Sequence, residues 1–389
     1  MEQVALVECP SYDVDLVEQK LREALELLGG ESFLRGLIPA DSSVLLKPNL
    51  LSIEMPGSPV VTHQAVFEAV LRIVGDYSEK LSFGDSPGFG DSRRAAEKAG
   101  LIEVAGRYGV KFQDFKESLH VKCADALLCK SWEIARAPYE ADVLITLPRL
   151  KTHGLAFMTG AIKNQFGCVP GLQKPAWHTR MTDPRNFSRM LLDLNTAVGT
   201  SFAILDGITA MEGNGPRNGT PFQLNALIIG QCLSAVDSVA ARLIGYSNPL
   251  DVPVLKEAHE SKWGAVLPQE IEVLGENIER LKTTRFKLVR SASGFSNKMY
   301  TSLAPLLRGA MVPDPVLRPE KCLGCRRCFE VCPVKPKVIS MIEKGGKSTP
   351  HWNMDNCIRC FCCQELCPEG AIELRYRGLG KLLHRHSNS

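Results

Sequence analysis

Short apolar blocks alternate with helical spacing through the first two thirds of the chain. Val4-Ala5-Leu6-Val7 is a strand-type run. After Asp13, apolar residues recur at Val14, Val17, Leu21, Leu25 and Leu28, a helix with Asp13 as cap and Gly29-Gly30 as its end. Val44-Leu45-Leu46-Lys47 reads as a buried strand broken by Pro48-Asn49, and a helix follows from His63 to Val74. Leu81-Ser82-Phe83 is a short strand that opens into Gly84-Asp85-Ser86-Pro87-Gly88-Phe89-Gly90, with a helix from Ser92 to Ala99 behind it. Ala141 to Pro148 is the clearest buried strand and delivers Lys151-Thr152-His153-Gly154 on a loop. Further on, Thr159 to Gly167 can begin as a helix, Asn186 to Val198 is helical by periodicity, and Phe202 to Asp206 is a strand opening into Ala210–Pro216. A strand at Leu224–Ile229 and a helix near Ser234–Leu243 complete the series. Strands alternating with helices imply an α/β fold, a mainly parallel sheet with helices on both faces.

In such a sheet, ligands sit beyond the carboxyl ends of the strands. Lys47, Asp85, Lys151, His153 and Asp206 all fall just past expected strands, which groups them in one candidate site. Lys151 and Lys163 are candidate acids or, if desolvated, nucleophilic amines, and His153 is a candidate proton carrier near neutral pH. Asn164 beside Lys163 adds an amide, and this set suits a carboxylate or phosphate ligand. Asn49 and Ser86 join the candidate binding residues by their position beside Lys47 and Asp85. Each has a plain structural explanation too: a lysine capping carbonyls, a histidine satisfied in a core. Asp206, Glu212, Asn214 and Asp237 can orient the lysines or hold a hard cation, although their spacing matches no known metal loop. Gly213, Gly215 and Gly219 read as turn formers. The turn at 84–90 follows a strand and precedes a helix, an arrangement that can present N–H groups to an anion, but it lacks the spacing of a dinucleotide fingerprint.

Composition narrows the class. The chain has 389 residues, 44% apolar and 23% charged, with a net charge of +3. A charge that small gives no argument for nucleic acid. No apolar run reaches the roughly 18 residues of a membrane span. The N-terminus lacks the basic and apolar regions of a signal peptide, so fourteen cysteines point to a reducing, cytoplasmic setting. Cys9, Cys123, Cys129, Cys168 and Cys232 are scattered and read as buried free thiols.

The remaining cysteines are patterned. Cys322-Leu-Gly-Cys325-Arg-Arg-Cys328-Phe-Glu-Val-Cys332-Pro is followed by Cys357-Ile-Arg-Cys360-Phe-Cys-Cys363-Gln-Glu-Leu-Cys367-Pro. Both runs follow C-x₂-C-x₂-C-x₃-C-P, in which the fourth cysteine of each run serves the other iron–sulfur cluster. Cys322, Cys325, Cys328 and Cys367 are thus expected to hold one [4Fe–4S] cluster, and Cys332, Cys357, Cys360 and Cys363 the second. Three thiolates on a tight loop reach three corners of a cubane, and the fourth corner needs a distant residue. Disulfides suit a secreted chain, and zinc needs neither the third cysteine of each run nor the Cys-Pro that follows. Cys362 falls out of register as a spare thiol. The stretch from Leu281 to Pro313 has no acidic residue but carries Lys282, Arg285, Lys287, Arg290, Lys298 and Arg308. It reads as a connector, either a solvated face or a docking strip for an acidic redox partner. The expected organisation is an α/β domain at 1–280, the connector at 281–313, and a small α+β domain at 314–389 ending in a basic tail.

The cysteine cassette resembles the clostridial-type ferredoxin domain, with a longer Val334–Ile339 segment in its first half than the Glu369-Gly370-Ala371-Ile372 turn of its second. The upstream region resembles the iron–sulfur centre proteins grouped as domain of unknown function 362. The residues that carry the likeness are V-L-L-K-P-N-L at 44–50, F-G-D-S-P-G at 83–88, L-P-R-L-K-T-H-G, T-G-A-I-K-N-Q-F-G and A-M-E-G-N-G-P. The resemblance implies an iron–sulfur protein and leaves its substrate open. Three functions fit: an oxidoreductase passing electrons from two [4Fe–4S] clusters to a small anionic molecule, an electron-transfer subunit docking to a partner enzyme, and an anion or metallocofactor binder whose clusters sense redox state.

Overall fold

The computed structural model describes residues 1–88, 90–171, 173–181, 183–289, 313–344 and 346–375. Its centre is a ten-stranded mixed sheet. The strands are β1 (Glu2–Glu8), β2 (Val44–Pro48), β3 (Leu81–Phe83), β4 (Lys111–Phe112), β7 (Val143–Leu147), β8 (Arg149–His153), β9 (Phe157–Thr159), β10 (Phe202–Glu212), β11 (Thr220–Gly230) and β12 (Ile271–Gly275). They run in the order β12-β1-β11-β10-β7-β2-β3-β4, with β8 paired to both β10 and β9. Most pairs are parallel; β11 runs antiparallel to β1 and β10, and β9 antiparallel to β8. β5 (Ser118–Lys122) and β6 (Ser131–Ala135) form a separate hairpin that the apolar pattern did not reveal.

Neighbouring side chains along each central strand point to opposite cores, as the pleat requires. Val4 and Leu6 pack with Leu45, Leu144, Ala203 and Leu205 against the helices Pro184–Val198 and Leu233–Leu243. Ala5 and Val7 pack with Val44, Leu46, Ile145 and Ile204 against the helices Val14–Leu27 and Gln64–Gly75. Helices therefore cover both faces. The Asp13 carboxylate accepts from the Leu16 N–H at 2.9 Å and caps the first of them. Gly29-Gly30 does not simply end that helix: a second one, Gly30–Leu37, starts there.

Two expectations about strand ends need correction. Lys151-Thr152-His153 is not a loop; it belongs to β8, which pairs with β9 through Lys151↔Thr159 and His153↔Phe157. Asp206 lies inside β10, which runs on to Glu212, with its register against β11 shifting between Gly207 and Thr209. Both segments extend because each finds a partner strand, which local propensity does not foresee.

The C-terminal unit contains β13 (Asp314–Leu317), β14 (Ile339–Lys344), β15 (Lys347–Trp352) and β16 (Ile372–Arg375). β13 pairs with β16 and β14 with β15, both antiparallel, and one-turn helices sit at Arg327–Glu330 and Cys362–Glu365. This is the expected small α+β unit. The start of the expected connector packs on the α/β domain instead: Phe286 is buried, and the Lys287 N–H donates to Glu212 Oε2 at 2.8 Å. Arg290, Lys298, Arg308 and the tail from position 376 lie outside the described residues.

Candidate functional site

Lys47 is the penultimate residue of β2, and its Nζ lies 2.8 Å from Asp85 Oδ1 with both side chains buried. The other Asp85 oxygen accepts from the Leu50 N–H at 2.6 Å, so Asp85 ties the turn after β3 to the chain leaving β2. Gly167 packs against this pair: a Cβ there would collide with Asp85 Oδ1 and Lys47 Nζ. The short helix Ala161–Asn164 presents Lys163 and Asn164. Its first N–H groups, on Ala161 and Ile162, donate to the buried Asp237 carboxylate at 2.6 and 3.1 Å. Burial pushes the Asp237 pKa up to about 7, against the two N–H donors that lower it. Gly160 leaves the room this carboxylate needs. Asn164 Nδ2 donates to Thr146 Oγ1 at 2.8 Å and fixes the helix to β7.

β8 carries Arg149, Lys151 and His153 at alternate positions, hence on one face. Arg149 Nη1 pairs with Asp206 at 2.6 Å while its Nη2 is buried without a hydrogen-bond partner among the described residues. Tyr12 donates to the other Asp206 oxygen at 2.9 Å and stacks on His63. Lys151 Nζ donates to Asn49 Oδ1 at 2.5 Å and Val60 O at 2.8 Å. Burial, reinforced by Lys163 and Arg149, drives its pKa well below the usual lysine range. His153 Nδ1 accepts from the Leu155 and Ala156 N–H groups at 3.1 and 3.0 Å, so a neutral ring carries its proton on Nε2. That nitrogen lies 3.0 Å from Glu365 Oε1. Burial first and Lys163 second lower the His153 pKa, against the pull of Glu365.

A cleft of about 750 Å³, open to solvent, unites Asn49, Asp85, Ser86, Lys151, Lys163 and Asn164. It also includes two cations that the sequence reading did not single out, Arg149 and Lys174. Lys174 Nζ donates to Ser86 O at 2.8 Å and Pro87 O at 3.2 Å, and burial lowers its pKa to about 7. Lys47, His153, Asp206, Glu212 and Asn214 stand outside the lining. Of these, Lys47, His153 and Asp206 back it through Asp85, Glu365 and Arg149, whereas Glu212 faces Lys287. Asn214 Oδ1 accepts from Gln364 Nε2 at 2.8 Å across the boundary to the C-terminal unit.

That unit completes the cleft. Cys362, Glu365 and Leu366 line it, so Cys362 has a place in the molecule beyond that of a spare thiol. Phe361 and Leu374 close over Gly154. The patterned cysteines line two smaller cavities. Cys322, Cys325, Cys328 and Cys367 line one, of about 360 Å³; Cys332, Cys357, Cys360 and Cys363 line the other, of about 320 Å³. These thiols are free rather than disulfide-bonded. Among the described residues, no group of three or more His, Cys, Asp or Glu side chains converges on a single-ion site. Cys232 is partly exposed, unlike the buried Cys9, Cys123, Cys129 and Cys168.

Residues 44–242 match the family described as Domain of unknown function (DUF362), and residues 314–368 match the 4Fe-4S dicluster domain. The chain belongs to the DUF362 family and carries a ferredoxin-type iron–sulfur domain at its C-terminal side. A thylakoid-associated protein of Synechocystis sp. is 33% identical over 256 residues, 66% of this chain and 78% of its own length. The pyruvate synthase subunit PorD of Thermotoga maritima is 38% identical over 64 residues, 16% of this chain and 60% of its own length. Among solved structures, the lactate racemase apoprotein of Thermoanaerobacterium thermosaccharolyticum aligns at a TM-score of 0.38 and 14% identity, over 59% of this chain and 54% of that one. The chain thus spans about half the length of that structure. No described helix is long and apolar enough to cross a membrane.

Proposed function

We propose that the protein is an iron–sulfur oxidoreductase that reduces or oxidises a small anionic molecule in the cleft. Two [4Fe–4S] clusters would be held by Cys322, Cys325, Cys328 and Cys367, and by Cys332, Cys357, Cys360 and Cys363. When bound, such clusters supply single electrons. The observation that carries the reading is the helix Cys362–Glu365: Cys363 lines the second cysteine cavity, while Cys362 and Glu365 line the cleft. One helical turn separates the two. Lys151, Lys163 and Lys174 hold the ligand by charge, and Asn49 and Asn164 orient it. The neutral His153, with its proton on Nε2 toward Glu365, stands behind the cleft as a proton reserve. The test is anaerobic. The dithionite-reduced protein is mixed with panels of small anions and its visible absorbance followed. A substrate restores the oxidised spectrum in the parent and does so at least about tenfold more slowly in Lys163→Ala, which lacks one cation of the site.

The likeness to PorD supports a second reading, an electron-transfer subunit without a substrate of its own. Were it correct, no small anion would reoxidise the parent, and the protein would co-purify with a redox enzyme in a strongly salt-dependent manner.

A further inference from the structure

Among the described residues, six charged side chains line the cleft: Arg149, Lys151, Lys163 and Lys174, with Asp85 and Glu365. Two of them are neutralised from behind, Asp85 by Lys47 and Arg149 by Asp206. Three lysines then face one carboxylate, because His153 beside Glu365 is held neutral by two N–H donors on Nδ1. The lysine partners are neutral. Lys151 has an amide oxygen and a carbonyl, and Lys174 has two carbonyls. Lys163 makes no hydrogen bond or salt bridge among the described residues. Carbonyls satisfy ammonium hydrogen bonds and leave the charge uncompensated, and buried charge without a counter-charge is costly. Arg149 Nη2 adds a buried donor with no acceptor among the described residues. The backbone offers little here, since Asp237 already occupies the N–H groups of Ala161 and Ile162.

We propose that the cleft is built for a ligand bearing two negative charges on oxygen, a phosphate ester or a short dicarboxylate, held by Lys151, Lys163, Lys174 and the free edge of Arg149. This rests on the reading that the cleft takes small anions and sets the charge of what it takes. Two negative charges balance the cations that the lysines become when such a ligand is bound, and the acceptor-rich oxygens meet the unpartnered donors. Binding draws in protons above neutral pH, because a dianion beside Lys174 restores the charge that burial removes.

Calorimetric titration of the anaerobically purified, iron-loaded protein at pH 8 tests this with isosteric pairs. The probes are methyl phosphate against methyl sulfate, and succinate against succinamate, each in two buffers of different ionisation enthalpy. Expected is a preference of about tenfold or more for the doubly charged member of one pair, with net proton uptake, and loss of most of that preference in Lys163→Gln. Which pair responds separates the phosphate from the dicarboxylate source. Equal affinity within both pairs overturns the dianion while leaving the small-anion reading intact; no binding of any probe by the parent overturns both. Should Lys163→Gln fail to fold, Lys174→Gln is titrated instead, and an unchanged preference there overturns the site.

Discussion

The cleft and the cysteine cavities place their chemistry in the chain in opposite ways. Each cysteine cavity draws three of its four lining thiols from one run of seven residues or fewer, and one from the other run. The cleft draws its cations from β8, from the helix after β9, and from the helix Gln173–Arg180, and borrows a wall from the C-terminal unit. A site made by local spacing survives as a motif. A site made by the meeting of distant segments depends on the packing that brings them together. Damage to the first kind should be confined; damage to the second should spread into stability.

The largest expected effect breaks a cysteine cavity. Cys363→Ala should reduce the iron content of anaerobically purified protein from about eight per chain toward about four, with the far-ultraviolet circular dichroism of the α/β domain retained. Unchanged iron content would mean that the spacing had misled. Next, Asp85→Asn leaves Lys47 buried opposite a neutral group, and unfolding in denaturant should show a loss of about 3–5 kcal/mol. Gly167→Ala pushes a methyl group into the same pair, and a loss of about 1–3 kcal/mol is expected from overpacking.

A pH profile sharpens the comparison further. Lys174 is lowered to about 7 in the folded state from 10.5. Between those values the unfolded chain binds the extra proton, so this lysine's cost to stability is full below about pH 7 and is relieved as pH rises toward 10.5. The difference in unfolding free energy between parent and Lys174→Met should therefore shift in the parent's favour across that window. A flat difference would place Lys174 in water. The smallest effect concerns the seam. Gln364→Leu removes the bond to Asn214 and should cost about 1 kcal/mol, read as faster hydrogen exchange in the helix Cys362–Glu365.

Much of the architecture was legible because the central strands are buried on both faces and read as apolar runs: β2, β7 and the first half of β10 were all visible in this way. β8 was not. Its residues Arg-Leu-Lys-Thr-His look like a polar loop, and only pairing with β9 and β10 makes them a strand. Had it been read as one, the period of two would have placed Arg149 beside Lys151 and His153 on a single face. Lys174 offered no such cue, since a lysine in Gln-Lys-Pro resembles any surface residue until its helix folds against Ser86 and Pro87. Asp237 gave no local cue to what the fold shows, a carboxylate that accepts from the two backbone N–H groups of Ala161 and Ile162.

The four residues from Cys362 to Glu365 have a consequence for assembly. Cys362 and Glu365 line the cleft and Cys363 the second cysteine cavity, so one short helix is a wall of both compartments. On the proposed reading, cluster and ligand would share this wall, and any effect of one on the affinity of the other would be returned by the same factor. Titrating the same anion into iron-loaded and iron-free protein would read that factor directly, and equal affinities would mean that the shared wall transmits nothing.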